Sequence, residues 1–145
     1  MKKIFTICFS LLCIFSLSGC SKDFSIDSAT LKKWGDVFND VSESYSRYTY
    51  IDGVYVAEKN NVHVELWDCD NSSDAKKWFS GNVETLKETA KTHVGSNTNS
   101  NGDYTITKDG KVYRIMFSDD KGIYSYANDK DSLNKALKEL NIIEK

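Results

Sequence analysis

Apolar residues recur at two spacings along the chain, and each change of period marks a new element. Ala29, Leu31, Trp34, Phe38 and Val41 fall roughly three or four apart, which predicts a first helix of about 12 to 15 residues. Ser28 or Thr30 is placed to cap it, and Gly35 weakens its middle. From Tyr48 the period becomes two: Tyr48, Tyr50, Val54 and Val56 form a strand that Asp52-Gly53 divides by a bulge or a short turn. Glu58 to Asn61 reads as the connection to a second strand, in which Val62, Val64 and Leu66 face the core while His63, Glu65, Trp67 and Cys69 face the other way. Ala75, Trp78, Phe79, Val83, Leu86, Ala90 and Val94 then predict a helix with a bend near Gly81, capped by Ser73 or Asp74. Gly95 to Gly102 has the composition of a flexible loop.

Three more strands follow. Tyr104-Thr105-Ile106 ends at the hairpin signal Asp109-Gly110, and Val112 to Phe117 comes next. Asp119 to Gly122 then turns the chain into Ile123 to Tyr126. A last helix over 131–142 sets Leu133, Ala136, Leu137 and Leu140 on one side, with Asn128, Asp129 or Asp131 as its cap. The predicted order is α-β-β-α-β-β-β-α: an α+β domain over 29–145, with an antiparallel sheet of about five strands and helices packed mainly on one face.

The start of the chain belongs to a different kind of segment. Met1-Lys2-Lys3 is a short basic stretch, and Ile4 to Leu17 is an apolar run too short to span a bilayer comfortably, the pattern of an export signal. It ends in Leu17-Ser18-Gly19-Cys20, which resembles the lipobox of bacterial lipoproteins. The resemblance implies that 1–19 is removed, that Cys20 carries acyl chains, and that 20–28 forms a lipidated cysteine and short tether on the extracytoplasmic face of a cell membrane. An ordinary secretory signal cleaved near Gly19 is the alternative. The meander from Ile123 and the helix after it also look like the carboxy-terminal part of small uncharacterised lipoproteins of low-GC Gram-positive bacteria, a likeness that brings no catalytic residues with it.

Composition changes this picture at two points. The chain has 145 residues and a net charge of -2; without Lys2 and Lys3, 17 basic residues face 21 acidic ones. A mildly acidic chain with no basic stripe is not expected to bind nucleic acid. Of four cysteines, Cys8 and Cys13 lie in the signal and Cys20 would carry lipid. Cys69 is left with no intrachain partner, so the domain stands on its packed core and Cys69 is expected to be an inert thiol.

Chemistry-bearing motifs are sparse. The sequence contains no glycine-rich phosphate loop, paired-cysteine motif, His-Glu-x-x-His helix or Gly-x-Ser-x-Gly elbow. Its two histidines, His63 and His93, do not suffice for a three-histidine zinc site. No catalytic residue, cofactor or metal site is therefore assigned. His63-x-Glu65 is the best polar pair; it would suit a base and orienter, or two metal ligands, but the reading preferred here is a solvated or cross-strand polar pair on the outer face of an edge hairpin. Asp119 and Asp120 read as turn chemistry.

Aromatic residues are the notable excess: 15 of the three Trp, eight Tyr and seven Phe remain once Phe5, Phe9 and Phe15 leave with the signal. Tyrosine brings large amphipathic area with few rotors, which suits a sheet face to binding. Tyr48, Tyr50, Trp67, Tyr113, Tyr124 and Tyr126 form the candidate surface, with β propensity and half-burial as the competing explanation. The expected function is a membrane-anchored binding domain for a protein or small ligand, with an envelope or extracellular protein as partner. The alternatives are an accessory subunit of an envelope complex and, third, a small enzyme or metal-binding protein.

Overall fold

A computed structural model describes residues 23–144; Cys20 and the expected export signal over 1–19 lie outside the described residues. In chain order the elements are α1 (Ser28–Trp34), β1 (Val37–Asp40), a 3-10 turn (Ser42–Tyr45), β2 (Ile51–Lys59), β3 (Val62–Cys69), α2 (Ser72–Lys87), β4 (Thr92–Asn97), β5 (Asn101–Lys108), β6 (Lys111–Ser118), β7 (Lys121–Ala127) and α3 (Lys130–Glu139). The strands form one sheet in the order β1-β2-β3-β7-β6-β5-β4, and every pairing in it is antiparallel.

The fold is α+β, but the expected sheet of about five strands with helices mainly on one face is wrong. Among the described residues there are seven strands, and the helices flank both faces. Two segments taken as helix or loop supply the extra strands. The stripe from Ala29 to Val41 breaks at Gly35, where the backbone turns extended and a Cβ would collide with the carbonyl of Val37 and the side chain of Ala57. Phe38 therefore belongs to β1, not to α1. Likewise α2 stops at Lys87, Val94 lies in β4, and the Gly95–Gly102 stretch is strand, short turn and strand.

Caps and turns follow from short polar side chains. Asp27, Asn71 and Asp129 each accept a backbone N–H three residues on and start α1, α2 and α3. Asn60 and Asn61, and then Asp109 and Gly110, take positive φ, so both two-residue turns match the twist of their hairpins. Asp52-Gly53 is a bulge in β2. Gly81 faces open space on α2 and the helix runs through it unbroken.

The core has two halves. On the first face α1 and α3 cover β2, β3 and β7, burying Leu31, Val64, Leu66, Ile123, Leu133 and Leu137. Each such side chain contributes about 1.5–3 kcal/mol relative to exposure. Phe24 and Ile26 join this cluster, so the packed part of the chain begins ahead of α1. Trp34 Nε1 and Lys59 Nζ both donate to Glu139, tying α1, β2 and α3 together. On the second face α2 buries Trp78, Phe79, Val83 and Leu86 against Ile106, Ile115 and Phe117. Among the described residues, no helix is long and apolar enough to cross a membrane.

Candidate functional site

The second face is covered only in part, and strand register shows what remains open. Glu58, His63, Tyr126 and Tyr113 lie side by side across β2, β3, β7 and β6. The next row is Val56, Glu65, Tyr124 and Ile115, and the third is Val54, Trp67, Gly122 and Phe117. Helix α2 sits on the third row because glycine makes room for it. A Cβ at Gly122 would fall 2.5 Å from Cε3 of Trp78, and one at Gly102 would fall 2.7 Å from Cζ of Phe79. With α2 held there, the Glu58–Tyr113 row and the Glu65–Tyr124 pair stay outside its cover, Glu58 exposed and the others partly buried.

These side chains are linked to one another. His63 Nδ1 lies 3.0 Å from Glu58 Oε1, and its Nε2 lies 2.8 Å from Glu65 Oε1. Trp67 Nε1 donates to the other oxygen of Glu65 at 2.8 Å. An ionised carboxylate only accepts, so both bonds to the imidazole are satisfied together when both ring nitrogens carry protons. Burial opposes that charge, but the hydrogen bonds to Glu65 and Glu58 and their charges outweigh it and hold His63 above its ordinary value. The His63 side chain is only 14% exposed, and its ring stacks on Tyr126 with centroids 4.6 Å apart.

The tyrosines form a group of their own. Tyr113 contacts Tyr126 at 5.4 Å and Tyr124 at 6.0 Å between ring centroids, the second pair edge-on. The Lys111 ammonium lies 4.5 Å from the centre of the Tyr126 ring, a cation–π contact. Burial, reinforced by Tyr113 and Glu65, pushes the Tyr124 phenol up to about 12; burial and Glu58 raise Tyr126 as well. Both are neutral donors and acceptors at physiological pH. Beside Tyr126 a shallow depression of about 380 Å³ opens between Glu58, Asn61, His63, Lys111 and Asn128.

The six residues expected to make the surface therefore fall into two groups. Tyr113, Tyr124 and Tyr126 are together in the open rows. Tyr48 and Tyr50 lie near the opposite end of β2 and β3, where Tyr45 bridges them to Trp67, which in turn packs on Trp78. Glu58 and Lys111 complete the site, and the pairing of His63 with Glu65 holds, but as part of a three-residue clamp. The Asn60-Asn61 turn carried the signal for Glu58: a two-residue turn there places Glu58 opposite His63.

The arrangement suits binding better than bond-making. His63 is tied at both nitrogens and cannot act as a free base without losing a carboxylate partner. Cys69 is buried under α2; burial and the carboxylates of Asp74, Asp68 and Asp120 push its thiol up to about 12, far from a nucleophilic thiolate. Among the described residues, no group of three or more His, Cys, Asp or Glu side chains is arranged to hold a metal ion.

No protein-family model matches the chain, and no curated protein matches it in sequence. Its fold is similar to that of a solved structure described as a GTP binding regulator from Thermotoga maritima, with a TM-score of 0.54 and 12% sequence identity over 81% of this chain and 87% of that one. At that identity the likeness is one of fold.

Proposed function

We propose that the chain is an extracytoplasmic lipoprotein, held to a cell membrane through Cys20, whose domain binds a protein or small ligand without catalysis. The observation that carries the binding half is the open part of the second sheet face. There Glu58, His63, Glu65, Lys111, Tyr113, Tyr124 and Tyr126 combine aromatic area with fixed donors and acceptors beside a depression. Rigid tyrosines flanked by oriented polar groups are the composition that concentrates binding energy at interfaces. The lipobox supports the anchor. The GTP binding named for the structurally similar protein is not carried over, because fold does not fix the site and no phosphate loop is present in the sequence.

The test is affinity capture of the full chain from mild detergent extracts of its native membrane, beside the variant Tyr113→Ser/Tyr126→Ser, with partners and bound small molecules identified by mass spectrometry. A ligand captured by the native chain and lost in the variant supports the reading. Identical capture by both refutes this face as the binding surface.

A role as accessory subunit of an envelope complex is the second reading, favoured by the edge strand β4. All six of its residues are exposed, Val94 by 69%, and none is Asp, Glu, Lys or Arg. Such an edge is a template for strand addition by a partner.

A further inference from the structure

Given the lipid anchor just proposed, on which this step rests, we infer that the domain stands on its Thr98–Ser100 and Asp119–Asp120 turns, which face the lipid surface, and presents the His63–Tyr126 site away from it. The argument is one of chain geometry. The described chain enters the domain at one fixed place. Asp23 Oδ1 accepts from Asn101 Nδ2 at 3.0 Å, and the Phe24 N–H donates to Ser118 Oγ at 3.3 Å. Phe24 and Ile26 are buried immediately afterwards, 6% and 4% exposed, so this entry point does not slide.

Asn101 begins β5 and Ser118 ends β6, and both lie at the same end of the sheet as the Asp119-Asp120 turn. From Asp23 back to Cys20 is three residues, which reach at most about 10 Å even when fully extended. An acylated Cys20 therefore holds this end within about that distance of the bilayer surface. The other end of β5, at Lys108, is about 24 Å farther along the strand. Glu58, His63, Tyr113 and Tyr126 sit toward that far end, with the Asn60-Asn61 and Asp109-Gly110 turns.

Charge does not create this orientation. Asp52, Asp70, Asp119 and Asp120 lie near the anchored end, with Lys76 and Lys121 among them, so the described residues of this end form no basic patch for anionic lipid. The tether alone keeps it close. The orientation also separates the two aromatic groups: Tyr48 and Tyr50 come to lie near the lipid, whereas Tyr113 and Tyr126 are open to ligands arriving from outside.

The experiment labels the full acylated chain at Ser100→Cys or, separately, Lys108→Cys with an environment-insensitive fluorophore. The labelled chain is placed in phosphatidylcholine vesicles containing a headgroup-spin-labelled lipid. Quenching several-fold stronger at position 100 than at 108 is expected. Equal quenching, as for a sheet lying flat, or stronger quenching at 108 overturns the orientation while the anchor stands. Intact mass of the same sample reads the anchor itself: absence of acyl groups on Cys20 overturns both.

Discussion

Replacing Gly122 with alanine tests how α2 is seated on the sheet. The added Cβ would lie 2.5 Å from Cε3 and 2.8 Å from Cη2 of Trp78, where ordinary carbon contacts need about 3.5 Å or more. Trp78 is almost wholly buried and packs on Trp67 with ring centroids 5.5 Å apart, so its ring must push a neighbour or lift the start of α2. Two effects oppose each other. Removing a glycine restricts the unfolded chain and favours folding by about 0.4–1 kcal/mol. Overpacking a filled core costs about 1–3 kcal/mol. The clash wins over most of that range, so Gly122→Ala is expected to be destabilising by about 1–2 kcal/mol, which lowers Tm by roughly 3–10 °C for a domain of this size. Urea unfolding followed by tryptophan fluorescence measures it. The double variant Gly122→Ala/Trp78→Phe separates the cause: if the indole is the obstacle, the two changes couple favourably by about 1 kcal/mol. A neutral Gly122→Ala, or strict additivity in the double variant, refutes the reasoning.

Two further outcomes follow from the same face. Because His63 is held above its ordinary value of 6.5 in the folded chain, its clamp contributes in full below about pH 6.5 and that contribution is lost as pH rises through the raised folded value; urea midpoints should fall over this window in the native chain but not in His63→Gln, and an equal fall in both refutes the clamp. Cys69, with its thiol pushed up to about 12 from an ordinary 9.0, holds roughly a thousand-fold less thiolate near neutral pH than a free cysteine; iodoacetamide should label it slowly in the folded chain and rapidly in urea, and rapid labelling of the folded chain would show that α2 does not cover it.

Glycine decides how much of this molecule was legible in its sequence. Where a residue's period reported its burial, the reading held: Val62, Val64 and Leu66 face the first core cluster and His63, Glu65 and Trp67 the other side. The Asp109-Gly110 turn was also legible, because Gly110 there has positive φ and the sequence names that turn directly. The misreadings fall where glycine serves close approach instead of turning. Local sequence reads Gly102 as loop and Gly122 as turn, yet both lie inside strands and are the openings into which Phe79 and Trp78 descend from α2. Gly95, which also reads as loop, lies in β4 with the Tyr104 ring against it. Local composition cannot distinguish these uses, since a missing Cβ permits a turn and admits a neighbouring ring equally well. The distinction is tertiary, and it also positions the site. By drawing α2 onto the third row through Trp78, Gly122 fixes which tyrosines the helix covers. It leaves Tyr113, Tyr124 and Tyr126 with the His63 clamp as the open part of the face. A residue with no side chain thus sets the boundary of the candidate binding surface, and a change there should move that boundary before it alters any residue that touches a ligand.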